Sequence, residues 1–394
     1  MVDFFYSCFD CARQYRRDAV RYLCPNCASQ CKEGQPLRGV LEVFFDYEAI
    51  RSSFVQDAPN WDLFSAVEAQ YYPAYPCGNT PFFAAPRLVN DEYNNLWIKH
   101  DGLNPSCSLK DRASFLVVAE ATRLGEDKIV VASTGNAASA LAAVAAAAGK
   151  KAKIFVPKSA PIAKLVQMVQ HGAEIELVDG TYDEAFQLSL ADTQKNGGLN
   201  RNTAYNPLTI EGKKTVGLEI FAQNGCKVPD AILIPVGDGV IISAVYKAFT
   251  DLMRAKMTST MPRLICIQSE KSDAIHNYIQ TGIFRAAKKP KTIADSISVS
   301  VPSNAHMAKH AVEKTNGFSL LVSDDEILAA QALLARQTGI FAEPAAASTL
   351  AGLNIIRKQK MLPFHSQIVL LITGHGLKDT KSAMKKKKLC FKDN

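Results

Sequence analysis

The feature that most restricts the fold is an alternation, from residue 96 onward, of short apolar segments with longer segments of helical period. We predict strands at residues 96–98, 129–132, 153–156, 174–178, 231–234, 264–267 and 368–372. We predict helices at residues 113–124, 137–148, 161–171, 182–196, 215–224, 241–253, 324–338 and 345–357. Such alternation is typical of an α/β fold, in which helices cover both faces of parallel sheets. Ligands of these folds bind at the carboxyl ends of the strands, so the loops there are the candidate sites.

Four cysteines near the N-terminus form two close pairs, Cys8-x-x-Cys11 and Cys24-x-x-Cys27, with twelve residues between the pairs. In a cytosolic chain this spacing favours metal ligation over disulfides. Two such turns offer four thiolates to one tetrahedral ion and leave no position open for a substrate. We therefore predict a structural zinc ribbon over residues 1–39. The alternatives are a ribbon that has lost its metal, a redox pair, and Cys31 as a substitute ligand.

Composition and charge restrict the class of protein. The 394 residues are 47% hydrophobic and 21% charged, as expected of a soluble enzyme of two or three compact units. The sequence has neither an apolar run of membrane-spanning length nor the basic start of a secretory signal, so we predict a cytoplasmic protein without membrane contact. The net charge of +7 arises partly from a lysine run at residues 385–388. We interpret that run as a solvated end rather than a nucleic-acid site, and the positive balance suits anionic substrates.

A lysine stands at a predicted helix start, in the sequence Asn104-Pro-Ser-Cys-Ser-Leu-Lys110-Asp-Arg112. Asn-Pro and serine favour a turn, and the proline prevents an earlier helix start. The helix dipole disfavours a cation at this position. Lys110 is therefore either solvated or has its free amine made available, which is the state that Schiff-base chemistry needs.

Two loops that follow predicted strands lead into predicted helices. Ser133, Thr134, Gly135, Asn136 and Ala137 would place hydroxyls, an amide and backbone N–H groups at a helix N-terminus. That arrangement suits the carboxylate of a small substrate, and simple helix capping by Ser133 or Thr134 is the alternative.

The second loop, Gly237-Asp238-Gly239-Val240-Ile241, resembles a glycine-rich phosphate loop but is neither a Walker loop nor a dinucleotide fingerprint. A tight β–α turn is the alternative, and Asp238 suits a phosphate only if its side chain turns away. A third loop, at residues 373–379, begins Thr373-Gly-His375-Gly and allows a close approach of backbone or ring. His375 is a candidate base or a structural residue.

Together these features resemble the threonine synthases, pyridoxal-phosphate enzymes of the tryptophan-synthase-β-like fold type II. The resemblance begins with the four-cysteine ribbon and covers nearly the whole chain. It continues through Leu41-x-Val43-x-x-Asp46-Tyr47, Asn79-Thr80-Pro81-Phe82, Gly102-Leu103-Asn104-Pro105, Ser108-x-Lys110-Asp111-Arg112 and Ser133-Thr134-Gly135-Asn136. Later matches are Lys164 and Gln167 before Gly172-Ala173, Asn206-Pro207, Glu211-Gly212-x-Lys214-Thr215, Glu343-Pro344-Ala345-Ala346-Ala347 and Thr373-Gly374-His375-Gly376-Leu377-Lys378.

The resemblance implies a role for each site residue. Lys110 would carry the cofactor as a Schiff base and move protons, and Asn136 would hydrogen-bond the cofactor's ring hydroxyl. Thr373 would face the pyridine nitrogen. The phosphate would be held by backbone amides of Gly237, Asp238, Gly239, Val240 and Ile241. The substrate carboxylate would be held by Ser133, Thr134, Gly135 and Ala137.

The resemblance also implies the organisation and the reaction. Residues 40–394 would form the catalytic region, with a smaller α/β subdomain at about 100–212, and the enzyme would be a homodimer. The implied substrate is O-phospho-L-homoserine, converted with water to L-threonine and phosphate. Lys164, Lys214 and Arg112 are candidates to hold the substrate phosphate, with scaffold roles as the alternative.

The sequence departs from the family at three places: the 237–241 loop, Cys107 where glycine is usual, and Leu109 where phenylalanine is usual. These departures keep other reactions on the same scaffold open: cysteate synthesis, diaminopropionate ammonia-lyase activity, and threonine or serine dehydration. A non-catalytic protein whose basic, aromatic ribbon binds nucleic acid or a partner is the alternative from another class.

Overall fold

The computed structural model describes residues 3–55, 59–158, 162–180, 182–288 and 290–384. Its strands are β1 (Phe4–Cys8), β2 (Gln14–Arg16), β3 (Leu41–Phe45), β4 (Phe82–Ala84), β5 (Leu96–His100), β6 (Lys128–Ala132), β7 (Lys151–Pro157), β8 (Glu174–Val178), β9 (Leu199–Asn200), β10 (Ala231–Pro235), β11 (Arg263–Ser269), β12 (Phe318–Val322) and β13 (Ile368–Ile372).

Apart from α1, which lies in the ribbon, the helices are interspersed with these strands along the catalytic region. They are α1 (Pro25–Ala28), α2 (Tyr47–Ser53), α3 (Lys110–Arg123), α4 (Asn136–Ala147), α5 (Ile162–Gln170), α6 (Tyr182–Asn196), α7 (Leu208–Gln223), α8 (Val240–Arg254), α9 (Ala274–Thr281), α10 (Ala305–Lys314), α11 (Asp324–Thr338), α12 (Pro344–Gln359) and α13 (Thr380–Met384). Short 3₁₀ turns lie at Trp61–Phe64, Ala69–Tyr71, Asp101–Leu103, Asp295–Ile297 and Gly376–Asp379.

The strands form three sheets. The ribbon sheet has the order β2-β1-β3 and is antiparallel. The larger catalytic sheet has the order β12-β11-β10-β13-β5-β4 and is parallel except for β4 at its edge. The smaller sheet, β8-β7-β6-β9, is parallel throughout. The predicted α/β architecture with parallel sheets is therefore confirmed.

The central strands are buried on both faces, which explains their continuous apolar sequences. Every residue of β10 and β13 is buried. One hydrophobic cluster runs from the ribbon through the smaller sheet to the larger one and contains Val43, Val131 and Leu371. Because this core is shared, the subdomain boundary at about 100–212 stays a prediction.

Two helices begin three or more residues earlier than predicted. Helix α3 begins at Lys110 rather than 113, so the lysine is its first residue. Helix α7 begins at Leu208 rather than 215. The prediction for α7 was wrong because Glu211 and Lys214 are buried in ion pairs and conceal the apolar period of the helix.

Between the ribbon and β4, the described residues form helix α2 followed by two 3₁₀ turns. Asp46 caps α2 by accepting a hydrogen bond from the Ala49 amide at 2.9 Å.

Candidate active site

Backbone hydrogen bonds join the lysine loop to the Thr-Gly loop. The Leu109 amide donates to the Thr373 carbonyl at 2.9 Å, and the His375 amide donates to the Cys107 carbonyl at 3.1 Å. The Glu343 amide, before α12, donates to the Gly374 carbonyl at 3.0 Å. Three segments that are far apart in sequence are thereby held in register around Lys110.

The structure explains one departure from the family in this loop. Cys107 has a φ of 65°, in the left-handed region that glycine enters without steric cost. The glycine usual at this position therefore matches the backbone conformation, and the cysteine is accommodated with strain. The Thr-Gly loop also requires a glycine, because a Cβ on Gly374 would collide with the Glu343 carboxylate.

A cavity at the carboxyl ends of β6, β10 and β13 gathers the predicted cofactor and substrate residues. It is lined by Lys110, Ser133, Thr134, Gly135, Asn136, Ala137, Gly237, Asp238, Gly239, Val240, Ile241 and Thr373. Strand-end placement was the basis of the prediction, and the structure brings all of these residues together. Their individual roles stay predictions.

Lys110 is partly buried in the wall of this cavity. Burial lowers the pKa of its ammonium, although the Glu343 carboxylate opposes the shift. Arg201 lies behind the lysine: its Nε donates to the Ser114 hydroxyl at 3.1 Å and its Nη2 to the Lys110 carbonyl at 3.4 Å. This environment favours a neutral amine, as Schiff-base chemistry requires.

The loop before α4 is more than a helix cap. Gly135 is the N-cap residue and α4 has no side-chain cap, while the Ser133 hydroxyl accepts from the Gly135 amide at 3.2 Å. The first N–H groups of a helix have no intrahelical acceptor, and here they border the cavity. A Cβ on Gly135 would meet nothing within 4 Å. Capping by Ser133 or Thr134 is thus excluded, and the loop fits an anion.

Asn136 is buried, and its amide Nδ2 donates to a Glu343 carboxylate oxygen at 3.0 Å and to the Ser296 hydroxyl at 3.2 Å. Ser296 also donates to Glu343 at 3.0 Å. The predicted partner of Asn136 was the cofactor's ring hydroxyl. The sequence indicated Glu343 only as part of a motif, and the structure places its carboxylate against Asn136 at the edge of the site.

The glycines of the 237–241 loop are required by what lies behind them. A Cβ on Gly237 would come within 2.9 Å of Ile297 Cα, and one on Gly239, whose φ is 87°, within 2.9 Å of the Asn304 carbonyl oxygen. Helix α8 begins directly after this loop. Asp238 turns toward Ser303, whose amide and hydroxyl both lie 3.4 Å from its Oδ1. Burial raises the pKa of the Asp238 carboxyl.

Two of the residues considered for the substrate phosphate belong to the scaffold. Arg112 is buried, with Nε 2.6 Å from Asp101 Oδ2 and Nη1 2.6 Å from Glu219 Oε1. Lys214 is buried between Glu211 at 2.5 Å and Asp251 at 3.0 Å. The third candidate, Lys164, has a side chain outside the described residues.

The cations that do line the cavity beside Lys110 are Arg201 and Lys213, which sequence reasoning missed. Adjacent helical residues point about 100° apart, so Lys213 and Lys214 face different sides of α7, one toward the cavity and one toward the ion-pair cluster. Two adjacent lysines in a helix therefore indicate that one of them faces a different environment from the other. Nothing in the sequence indicated which one.

The four ribbon cysteines come together as predicted, with all four sulfurs within 4.8 Å of one another. The Cys11 and Cys24 sulfurs are 3.8 Å apart, matching the roughly 3.8 Å expected for two thiolates on one tetrahedral zinc. The donor set therefore fits a structural zinc ion. In the same ribbon, Arg17 pairs with Glu68 at 2.8 Å and Tyr22 stacks on Tyr205 at 4.5 Å, so these basic and aromatic groups serve to dock the ribbon.

Comparison with known proteins gives the class. Residues 74–374 match the family described as pyridoxal-phosphate dependent enzyme, and the chain belongs to that family. This confirms the fold, the lyase class and the cofactor inferred from the motifs. The cofactor fits the cavity, since the Lys110 amine, whose pKa is lowered by burial, lies beside the N-termini of α4 and α8, and helix N-termini favour anions.

Individual relatives resemble this chain over nearly its whole length, and they indicate a narrower group within the family. The chain is 34% identical to the threonine synthase of Methanosarcina acetivorans over 389 residues, covering 96% of this chain and 93% of the relative. It is 32% identical to the threonine synthase of Methanocaldococcus jannaschii over 394 residues, covering 96% and 94%. The predicted resemblance to threonine synthases is therefore confirmed.

Solved structures support the fold. A threonine deaminase isoform from Solanum lycopersicum superposes with a TM-score of 0.69 at 22% identity, over 82% of this chain and 91% of that one. Maize serine racemase superposes with a TM-score of 0.66 at 22% identity, over 76% and 88%. Among the described residues, no helix is both long and apolar enough to cross a membrane.

Proposed function

We propose that this enzyme is a threonine synthase, which converts O-phospho-L-homoserine and water to L-threonine and phosphate. The observation that carries the proposal is the position of Lys110 in one cavity with the N-termini of α4 and α8. Two helix N-termini provide separate sites for two anions, here the phosphate of the cofactor and the carboxylate of the amino acid. Relatives that cover nearly the whole chain support the same reaction.

The bound cofactor supplies an electron sink for the carbanion chemistry of the amino acid. Lys110 is the residue in the cavity that would then move protons at Cα and Cβ, because burial favours its neutral amine. Cα and Cβ would each lose a proton, phosphate would leave from Cγ, and Cγ would take up a proton to become the methyl group. The hydroxyl of water would then add at Cβ, a proton would return to Cα, and the remaining proton of water would leave with the phosphate. Thr373, whose side chain is neutral and buried, would face the ring nitrogen and limit the electron withdrawal.

A second cavity adjoins the first, and we propose that it receives the substrate side chain. It shares Gly135 and Asn136 with the first and is also lined by Gln167 and Lys378. The Lys378 ammonium donates to the Ser106 carbonyl at 2.7 Å, the Ser139 hydroxyl at 2.9 Å and Gln167 Oε1 at 3.1 Å. Lys378 thus connects the lysine loop, α4 and α5 beside the space that the phosphorylated side chain would occupy.

A substrate panel tests the proposal against other reactions of this scaffold. The purified, cofactor-loaded enzyme is given O-phosphohomoserine, O-phosphoserine, threonine, serine or diaminopropionate, and phosphate and ammonia are measured. We expect phosphate release from O-phosphohomoserine and none from a Lys110→Ala variant. Faster ammonia release from threonine or diaminopropionate would assign the enzyme to dehydration or ammonia elimination instead.

We also propose that the ribbon binds structural zinc, because its four sulfurs have the spacing of a tetrahedral site. A homodimer is proposed on the resemblance to the family alone. Metal analysis and light scattering of the purified protein test these two statements.

A further inference from the structure

Lys213, on α7, differs from the other buried lysines. Its exposed fraction is 3%, and it lines the cavity that contains Lys110. Lys99 lies 2.5 Å from Glu219, Lys247 lies 2.5 Å from Asp251, and Lys214 lies 2.5 Å from Glu211. Lys213 makes no such ion pair or hydrogen bond within the part of the chain that the structure describes.

The surroundings of Lys213 make a charged ammonium at this position energetically unfavourable. Burial lowers the pKa of its ammonium well below the ordinary value, and the neighbouring Arg201 and Lys110 cations lower it further. The opposing carboxylate is Asp238, whose Oδ1 is directed at Ser303. A buried cation without a partner is unfavourable, and an anion that enters the cavity would compensate it.

The position of Lys213 indicates which anion this is. Its carboxylate neighbour, Asp238, belongs to the 237–241 loop, and α8 begins directly after that loop. The second cavity, toward the substrate side chain, is lined by Lys378 and does not include Lys213. We propose that Lys213 donates to the phosphate group of the cofactor and adds a cation to the backbone amides of residues 237–241.

This contact also accounts for the departure from the family in that loop. A carboxylate at Asp238 repels a phosphate, and the ammonium of Lys213 offsets the repulsion. The inference rests on the cofactor of the family and not on the choice of amino-acid substrate.

The test compares cofactor affinities without substrate. Apoprotein is titrated with pyridoxal phosphate and with pyridoxal, which lacks the phosphate, and binding is measured by equilibrium dialysis and visible absorbance. We expect Lys213→Gln to weaken pyridoxal phosphate binding by about tenfold or more, equivalent to about 1.4 kcal/mol. Pyridoxal binding should stay within roughly twofold, about 0.4 kcal/mol. Lys213→Arg, which keeps the charge, should recover part of the loss.

Other results would overturn the inference. Equal losses for the two ligands would mean that Lys213 supports the fold of the cavity, and an unchanged affinity would mean that it does not reach the phosphate. The double variant Asp238→Asn, Lys213→Gln tests whether Lys213 acts on the phosphate or only on Asp238. If the double variant binds pyridoxal phosphate with wild-type affinity, Lys213 only balances the charge of Asp238, and the proposed contact is refuted. Because no substrate is present, these outcomes are independent of phosphate release from O-phosphohomoserine.

Discussion

The adjacent lysines of α7, Lys213 and Lys214, test whether the structure correctly separates residues that stabilise the fold from residues that line the site. Lys214 lies in a cluster with Glu211, Asp251 and Lys247, whose side chains are all 2% exposed or less. Its ammonium also lies 4.3 Å from the centre of the Phe45 ring. The change Lys214→Met keeps a side chain of similar length but leaves two buried carboxylates with one ammonium between them.

The magnitude follows from what remains after the substitution. Removing one partner of a buried ion pair costs about 3–5 kcal/mol, because the other charge stays buried. Asp251 keeps Lys247 at 2.5 Å and the Tyr47 hydroxyl at 2.6 Å, while the one cation left beside Glu211 among the described residues is Lys247, at 3.7 Å. We therefore expect a loss of about 3 kcal/mol in the free energy of unfolding, toward the lower end of that range.

Lys213→Met is the matched control on the next residue of the same helix. Since Lys213 is buried and has no ion pair among the described residues, we expect that its removal does not lower the stability of the apoprotein. The assay is urea denaturation of the two apoproteins and the wild type, followed by circular dichroism. Chains of this size seldom unfold in one step, so midpoints are compared. Equal midpoint losses for the two variants would refute the division of roles.

The remaining predictions concern other parts of the molecule. Burial alone would raise the pKa of Glu219, but Arg112 and Lys99 lower it to about 2 from 4.5. Its contribution to stability, about 3 kcal/mol at most, is therefore present above pH 4.5 and lost as the pH falls toward 2. In Glu219→Gln the melting temperature should fall less steeply over that range, and parallel curves would contradict this. Cys107→Gly should raise stability by about 1 kcal/mol by relieving the left-handed backbone, which thermal denaturation measures. Cys24→Ser should remove bound zinc and lower the melting temperature while cofactor absorbance persists, and full zinc content in that variant would contradict the ribbon site.

The fold was largely predictable because the buried parallel strands have continuous apolar sequences between helices. The cavity was predictable for a related reason: strand-end loops with unusual residues converge at one edge of each sheet. Asn136 and Thr373 were found in this way, Lys110 was found by its position at a predicted helix start, and the structure places the three together.

The missed residues share a physical cause. Arg201 and Lys213 acquire their importance from neighbours far away in sequence, and charge alone does not separate a scaffold lysine from one that lines a site. Glu343 was seen as part of a motif, but its hydrogen bond from Asn136 depends on packing between α4 and α12. Arg112 and Lys214, considered for substrate binding, are satisfied by buried carboxylates that the sequence does not place beside them.

The most direct test of the central claim is product analysis of the cofactor-loaded enzyme with O-phospho-L-homoserine. We predict that L-threonine and phosphate appear in equal amounts and that Lys110→Ala forms neither. Phosphate accompanied by ammonia and a 2-oxo acid in place of threonine would contradict the claim. So would an absence of phosphate from wild-type enzyme that has bound its cofactor.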